Sequence, residues 1–193
     1  TNDDMDLLLQ AAQDLPVLMV TIAPENVTLE QADTLAQAGV ILSLGHTDAS
    51  YDEALAYAGV GVRAVTHLFN AMSQLGNRAP GVVGAALDHP GLSAGLIADG
   101  IHVHPASLRI ALAAKPRGRL LLVTDAMSTI GSDQQGFEFF GVEVVRDGDK
   151  LATKDGTLAG SALDMITAVK NAVTKLDLPM SEALNMASLY PAE

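Results

Sequence analysis

Short apolar runs alternate with amphipathic stretches along most of the chain, and the apolar runs end in polar side chains. Val40 to Leu44 run into Gly45-His46. Ala64-Val65-Thr66 run into His67, with Leu68, Phe69 and Asn70 behind it. The run "LSAGLIADGIH" ends in Asp99 and His102, and Leu120 to Val123 lead into Thr124-Asp125. Runs this short and this apolar suit strands buried on both faces, and "PVLMVTIAPE" reads the same way. The stretches between them carry helix punctuation. "NDDMDLLLQAAQ" offers Asn2 or Asp3 as a cap and places Met5, Leu8, Leu9 and Ala12 on one face. Thr28-x-x-Gln31 and Ser50-x-x-Glu53 are capping boxes, and Gly39 and Gly59 close their helices. "HPASLRIALAA" is a further helix.

Five β–α-type units in succession predict a parallel α/β architecture with right-handed crossovers. A Gly/Pro/Asn-rich connection, "SQLGNRAPGVVG", interrupts them. Beyond Asp125 the pattern changes. "GFEFFGVEVVRDGDKLATKDGTLAG" alternates with period two and is broken by Asp147-Gly148 and Asp155-Gly156, which predicts a β-hairpin segment at about 135–157. "SALDMITAVKNAVTKL" and "PMSEALNMASLY" predict two closing helices, the first opening at Ser161. No boundary between domains is marked before about residue 130.

Composition narrows the chemistry. The 193 residues are 49% hydrophobic with no Trp and four Phe, so the core is aliphatic. A net charge of -12 argues against nucleic acid and anionic membranes as partners. With no cysteine, disulfides and thiolate metal sites are excluded, and any metal must be held by His and carboxylate. No apolar run approaches the roughly 20 residues of a membrane-spanning helix.

In parallel α/β folds, reactive groups collect where strands end. A single histidine there is more often a structural hydrogen-bond partner. Four polar exits in register, His46, His67, His102 and Asp125, favour a shared site, and imidazoles with a carboxylate suit a divalent metal with a position open to water. The "HVH" spacing alone is weak evidence for His104, since Pro105 starts a helix there, and His89 reads as a loop residue. Arg78, between glycines in "GNRAPG", suits an oxyanion such as phosphate, or a plain surface arginine. "DGTLAGS" offers backbone amides to a substrate, or simply a turn and cap.

The motifs "TIAPE", "GHTDA", "THLFNAM", "NRAPG", "IADGIHV", "LVTDAM" and "DGTLAGS" occur in an order that resembles the N-acetylglucosamine-6-phosphate deacetylases of the amidohydrolase superfamily. The resemblance runs from about residue 17 to the end. It implies a (β/α)8 barrel, present here only in part, at about strands four to eight, with the hairpin near the C-terminus. It implies His46 and His67 as metal ligands and Asp125 as the catalytic acid/base. Asn70, Ala71, Arg78, His102 and the Leu158-Ala159-Gly160 segment match substrate-contacting positions. The metal it implies is a divalent ion, zinc first, with iron, cobalt or manganese as alternatives. Partners are the phosphorylated amino sugar and a second copy, a homodimer in which Arg78 reaches the neighbouring site, in the cytoplasm.

The chain also departs from the family. The metal-binding Glu of a "HLEGP"-type strand exit and the carbonyl-polarising histidine have no counterpart here, and Glu25 belongs to a different strand. The sequence therefore predicts a fragment of an enzyme that hydrolyses the acetamide of N-acetylglucosamine 6-phosphate to glucosamine 6-phosphate and acetate. Alternatives are an inactive folded piece, or a different amidohydrolase such as a dihydroorotase-like or deaminase enzyme.

Overall fold

Thr1 opens the first helix in the computed structural model, which describes residues 1–193 apart from the side chain of Asn2. Asn2, one of the two expected caps, therefore has its side chain outside the described residues. Thr1 forms the capping box instead, with Asp4. Contacts divide the chain into two compact units. One is Thr1–Gly95 with Ala114–Arg119, and the other is Leu96–Ala113 with Leu120–Glu193.

The first unit alternates helix and strand: α1 (Asn2–Asp14), β1 (Met19–Ile22), α2 (Leu29–Gln37), β2 (Ile41–Leu44), α3 (Tyr51–Gly59), β3 (Ala64–Val65), α4 (Gly81–Asp88) and the first residues of β4 (Ser93–Ile97). The strands are parallel and in chain order, with Met19 opposite Ile41, Ser43 opposite Ala64 and Val65 opposite Ala94. Thr28–Gln31 and Ser50–Glu53 form the reciprocal caps that their spacing predicts. Leu35, Leu42, Leu44, Leu68 and Leu92 fill a largely aliphatic interior, with Tyr57 buried beside them.

Two expectations change here. β1 is half exposed rather than buried on both faces, with Met19 at 53% and the preceding Val17 at 67% exposure. It ends the strand order, so it pairs with β2 alone. Within the Gly/Pro/Asn-rich connection a helix, α4, was not foreseen. It has no side-chain cap, and Gly81 to Ala86 are all buried. Its small residues give no amphipathic signal because the helix is buried all round.

The second unit holds the end of β4, α5 (Pro105–Ala114, whose last residue groups with the first unit) and β5 (Leu120–Val123). An antiparallel sheet follows, β6 (Gly136–Phe139), β7 (Val142–Asp147), β8 (Lys150–Thr153) and β9 (Leu158–Ser161), and then α6 (Met165–Leu176), α7 (Met180–Ala187) and α8 (Leu189–Ala192). Phe140 and Gly141 both take positive φ in the two-residue turn between β6 and β7, and Gly148 does so between β7 and β8. Val144, Leu151 and Ala162 form this sheet's core with Met127, Ile130, Phe137 and Ala159. The helix expected to open at Ser161 starts at Met165, with Asp164 as its cap. Ser161 is committed to a bridge with Ala126 and is already strand. Among the described residues the order β1-β2-β3-β4-β5 does not close on itself, and no closed barrel is seen. Among the described residues no helix is long and apolar enough to cross a membrane.

Candidate active site

β2 and β3 lie side by side, and each delivers a histidine just past its last pairing residue. At both positions the backbone turns into the left-handed region, φ 51° at His46 and 31° at His67. Such conformations cost an L-residue about 1–3 kcal/mol and tend to collect at functional sites. The turn aims the rings at one another. Nε2 of His46 and Nε2 of His67 stand 2.9 Å apart, with ring planes at 69°. His67 is buried, 6% exposed, and His46 is open to solvent.

Beneath the pair the strands carry hydroxyls rather than methyls. Thr66 Oγ1 lies 2.8 Å from Thr21 Oγ1 and 2.7 Å from Ser43 Oγ. Gly45 allows this approach, since a Cβ there would stand 2.9 Å from both Thr21 and Thr66.

The loops that follow are laced together. Thr47 N–H donates to the Ala71 carbonyl, and Ser73 N–H to the Thr47 carbonyl. Glu25 accepts from the Thr47 hydroxyl at 2.8 and 2.7 Å and from the Asp48 N–H at 2.8 Å. The Thr47 hydroxyl bond is the main reason its carboxyl is held below the usual glutamate range. Glu25, His46, Thr47, Asp48, Ala71 and Met72 line an open cavity of about 600 Å³. Glu25 is thus a loop tie beside the histidines, a role its sequence position alone did not disclose. Asn70 donates its side-chain amide to the His67 and Leu68 carbonyls at 3.1 and 3.3 Å, which shapes the turn carrying His67. Arg78 is exposed and lines a second cavity with Ser50, Tyr51, Ser73 and Gln74, at the start of α3.

In the second unit, Asp99 and His102 form a closed pair. Asp99 Oδ2 lies 2.6 Å from His102 Nδ1, and the side chains are only 4% and 6% exposed respectively. Asp99 Oδ1 accepts the N–H groups of Ile101 and His102 at 2.8 and 2.9 Å. Burial pushes the Asp99 carboxyl up. The His102 bond and the two backbone N–H groups outweigh it and hold the group below the usual aspartate range. Asp125 follows β5, exposed, with φ 53°. Its carbonyl accepts the Ser161 N–H at 2.8 Å, which brings the Leu158-Ala159-Gly160 segment alongside it. Gly160 has φ +69°, and a Cβ there would meet Met127 Cγ at 2.3 Å and the Asp125 carbonyl at 3.1 Å. His104 uses Nδ1 to accept the Ala106 N–H at 3.1 Å, as a cap of α5. His89 accepts the Gly91 N–H in a loop.

Three of the residues singled out for chemistry, His46, His67 and Asp125, therefore share an unusual backbone at strand exits. As a donor set, the two converging imidazole nitrogens fit two positions on one divalent cation. Zinc ligands at about 2.0–2.1 Å in a tetrahedron stand roughly 3.3 Å apart, a few tenths of an ångström wider than this pair. Among the described residues no group of three His, Cys, Asp or Glu side chains could hold a metal, so the pair is a partial set.

Parallel strands with polar exits and paired histidines are the setting in which the sequence comparison places the chain: it belongs to the Amidohydrolase family, whose model matches residues 17–193. It is 48% identical over 190 residues to an N-acetylgalactosamine-6-phosphate deacetylase of Shewanella sp. (strain ANA-3), covering 98% of this chain and 48% of that protein. It is 36% identical over 179 residues to an N-acetylglucosamine-6-phosphate deacetylase of Haemophilus influenzae, covering 91% and 46%. The crystal structure of the N-acetylglucosamine-6-phosphate deacetylase from Pasteurella multocida matches with TM-score 0.94 at 38% identity, over all of this chain and 50% of that one. A mutant of the Mycobacterium smegmatis enzyme, in complex with N-acetyl-D-glucosamine-6-phosphate, matches with TM-score 0.85 at 33% identity, over 90% and 47%. The chain spans about half the length of the relatives it matches.

Proposed function

We propose that this chain is part of a metal-dependent amide hydrolase that converts N-acetylglucosamine 6-phosphate to glucosamine 6-phosphate and acetate. The observation that carries the reading is the convergence of the His46 and His67 Nε2 atoms, 2.9 Å apart, at adjacent strand exits. The two histidines would hold a divalent cation, zinc first, which when bound supplies Lewis-acid charge to water and to the amide carbonyl. Asp125 accepts the proton of the attacking water and returns it to the departing nitrogen, since an unprotonated amide nitrogen is a very poor leaving group. The carbon–oxygen bond forms, the carbon–nitrogen bond breaks, and acetate and a free amine result. Arg78 and the amides near Asn70 and Ala71 hold the phosphate, so that remote binding orients the acetamide. Arg78, exposed in its loop, serves the neighbouring site of a homodimer.

The 48% identity to an N-acetylgalactosamine-6-phosphate deacetylase favours a second reading, in which the 4-epimer is the substrate. The test is acetate release by the intact protein carrying this sequence, from both phosphorylated sugars and from unphosphorylated N-acetylglucosamine, with zinc and with a chelator. Release from a phosphorylated sugar that the chelator abolishes, and that His67→Ala abolishes, supports the proposal. The faster sugar decides between the epimers. Release from neither, or release indifferent to the phosphate, overturns it.

A further inference from the structure

The ring of His102 is gripped by a carboxylate, and the grip is asymmetric. The two oxygens of Asp99 have different duties. Oδ1 accepts two backbone N–H groups, from Ile101 and His102, and only Oδ2 faces the imidazole, at 2.6 Å from Nδ1. An ionised carboxylate can only accept, so Nδ1 must carry a proton. Nε2 of His102 has no hydrogen-bond partner among the described residues.

The mount is rigid. α6 reaches back to this strand exit twice: Asn171 Nδ2 donates to the Ala98 carbonyl at 2.8 Å, and Lys175 Nζ to the Asp99 carbonyl at 3.1 Å. Arg109 in turn donates to the Lys175 carbonyl at 2.9 Å. Gly100, at φ +82°, makes the turn that folds His102 back onto the carboxylate. A buried pair held this way is built to present one atom of the ring, because removing either partner leaves a desolvated polar group.

We propose that Asp99 is the positioning residue for His102, fixing the Nδ1–H tautomer so that Nε2 is presented as a hydrogen-bond acceptor for a hydroxyl of the sugar. The part concerning the sugar rests on the deacetylase reading, and the part concerning the tautomer does not. The geometry also sets the sign of one substitution. In Asp99→Asn the amide oxygen stays on the two backbone N–H groups, so its NH2 faces Nδ1. Nδ1 must then become the acceptor and the proton moves to Nε2. A nearly isosteric change would invert the ring, from acceptor to donor at the atom that meets substrate.

Nitrogen-15 NMR on histidine-labelled protein at pH 8, above the ordinary imidazole range, reads this directly, with the His102 signal assigned by its loss in His102→Gln. Wild type is expected to show the bonded proton on Nδ1, and Asp99→Asn the proton on Nε2. A wild-type proton on Nε2, or protons on both nitrogens, overturns the proposal without recourse to any variant. In the intact protein, Asp99→Asn is expected to lower kcat/KM for the phosphorylated sugar by about 10–100-fold, mainly through KM, as supporting partners of site residues do. The double variant should lose no more than His102→Gln alone, because Asp99 acts through the ring. Additive losses would make Asp99 merely structural and overturn the positioning role. A correct tautomer with no kinetic effect would retire the sugar contact while leaving the tautomer assignment standing.

Discussion

The candidate side chains at three strand exits share an uncommon backbone, which Phe69, Ala71, Phe140 and Asp177 also adopt. His46, His67 and Asp125 all adopt positive φ, a region that L-residues avoid and that glycine occupies at ten other positions in this chain. The strain has a use. A residue continuing the strand would project from one face of the sheet, whereas His46 and His67, in the left-handed turn, bring their Nε2 atoms to 2.9 Å. Asp125 is braced in the same way from β9, through its carbonyl and Ser161. Gly160 is the neighbour that makes this bracing fit. Gly160→Ala is expected to destabilise the protein by roughly 1–3 kcal/mol, from the left-handed backbone and the displaced Met127. A lowered urea midpoint with an unchanged slope would register it, and an unchanged midpoint would show that the Met127 side chain simply moves aside.

At the scale of elements, capping chemistry and strand-end ties hold the units of structure in place. Thr28 and Ser50 start their helices where their partners three residues on require. α5 is followed by a less ordinary device. Lys115 is only 6% exposed, and its Nζ donates to the His89 carbonyl at 2.7 Å, tying the connection after α5 to the end of α4. Burial, aided by the nearby Arg119 charge, lowers its ammonium to about 8. The sign follows from proton binding. Between about pH 8 and the ordinary lysine value near 10.4 the unfolded chain binds more protons than the folded one, so stability rises with pH across that window. Below pH 8 the buried charge is a constant cost. Urea unfolding at pH 7.5 and pH 9.5 is expected to show the rise in wild type and its loss in Lys115→Met. Equal slopes in both proteins would mean that Lys115 is hydrated.

For the molecule as a whole, the consequential feature is the unpaired side of β1. Among the described residues its N–H and C=O groups on that side have no strand partner, and Met19 and Val17 stand exposed beside it. An apolar open edge invites pairing with another chain. Residues 1–193 expressed alone are therefore expected to self-associate in sizing chromatography, more so at higher concentration. Met19→Lys should shift the population toward monomer, because a charge on an edge strand opposes edge-to-edge pairing. A wild-type chain that elutes as a monomer at all concentrations would contradict this.

Local signals by themselves determined a good deal. Apolar runs of strand length, capping boxes at three-residue spacing and polar residues at strand exits are written in short windows, so the parallel units and the candidate residues could be read from them. Tertiary structure decided the rest. α4 carries no cap and no amphipathic stripe, since its small residues are buried on every side and only neighbours explain them. β1 looks as apolar as its fellows, and its exposure depends on which strands stand beside it. Ser161 reads as a helix start until Ala126 claims it for a strand bridge. Asp99 could be seen as an acid near a histidine and Glu25 only as an acid at another strand's end, and their duties as a ring grip and a loop tie depend on oxygen-by-oxygen geometry. A sequence records each residue's preference, whereas a hydrogen bond needs two atoms brought within about 3 Å of each other, and the partners described above are separated in sequence by as few as 2 positions, for Asp99 and Ile101, or as many as 76, for Asp99 and Lys175.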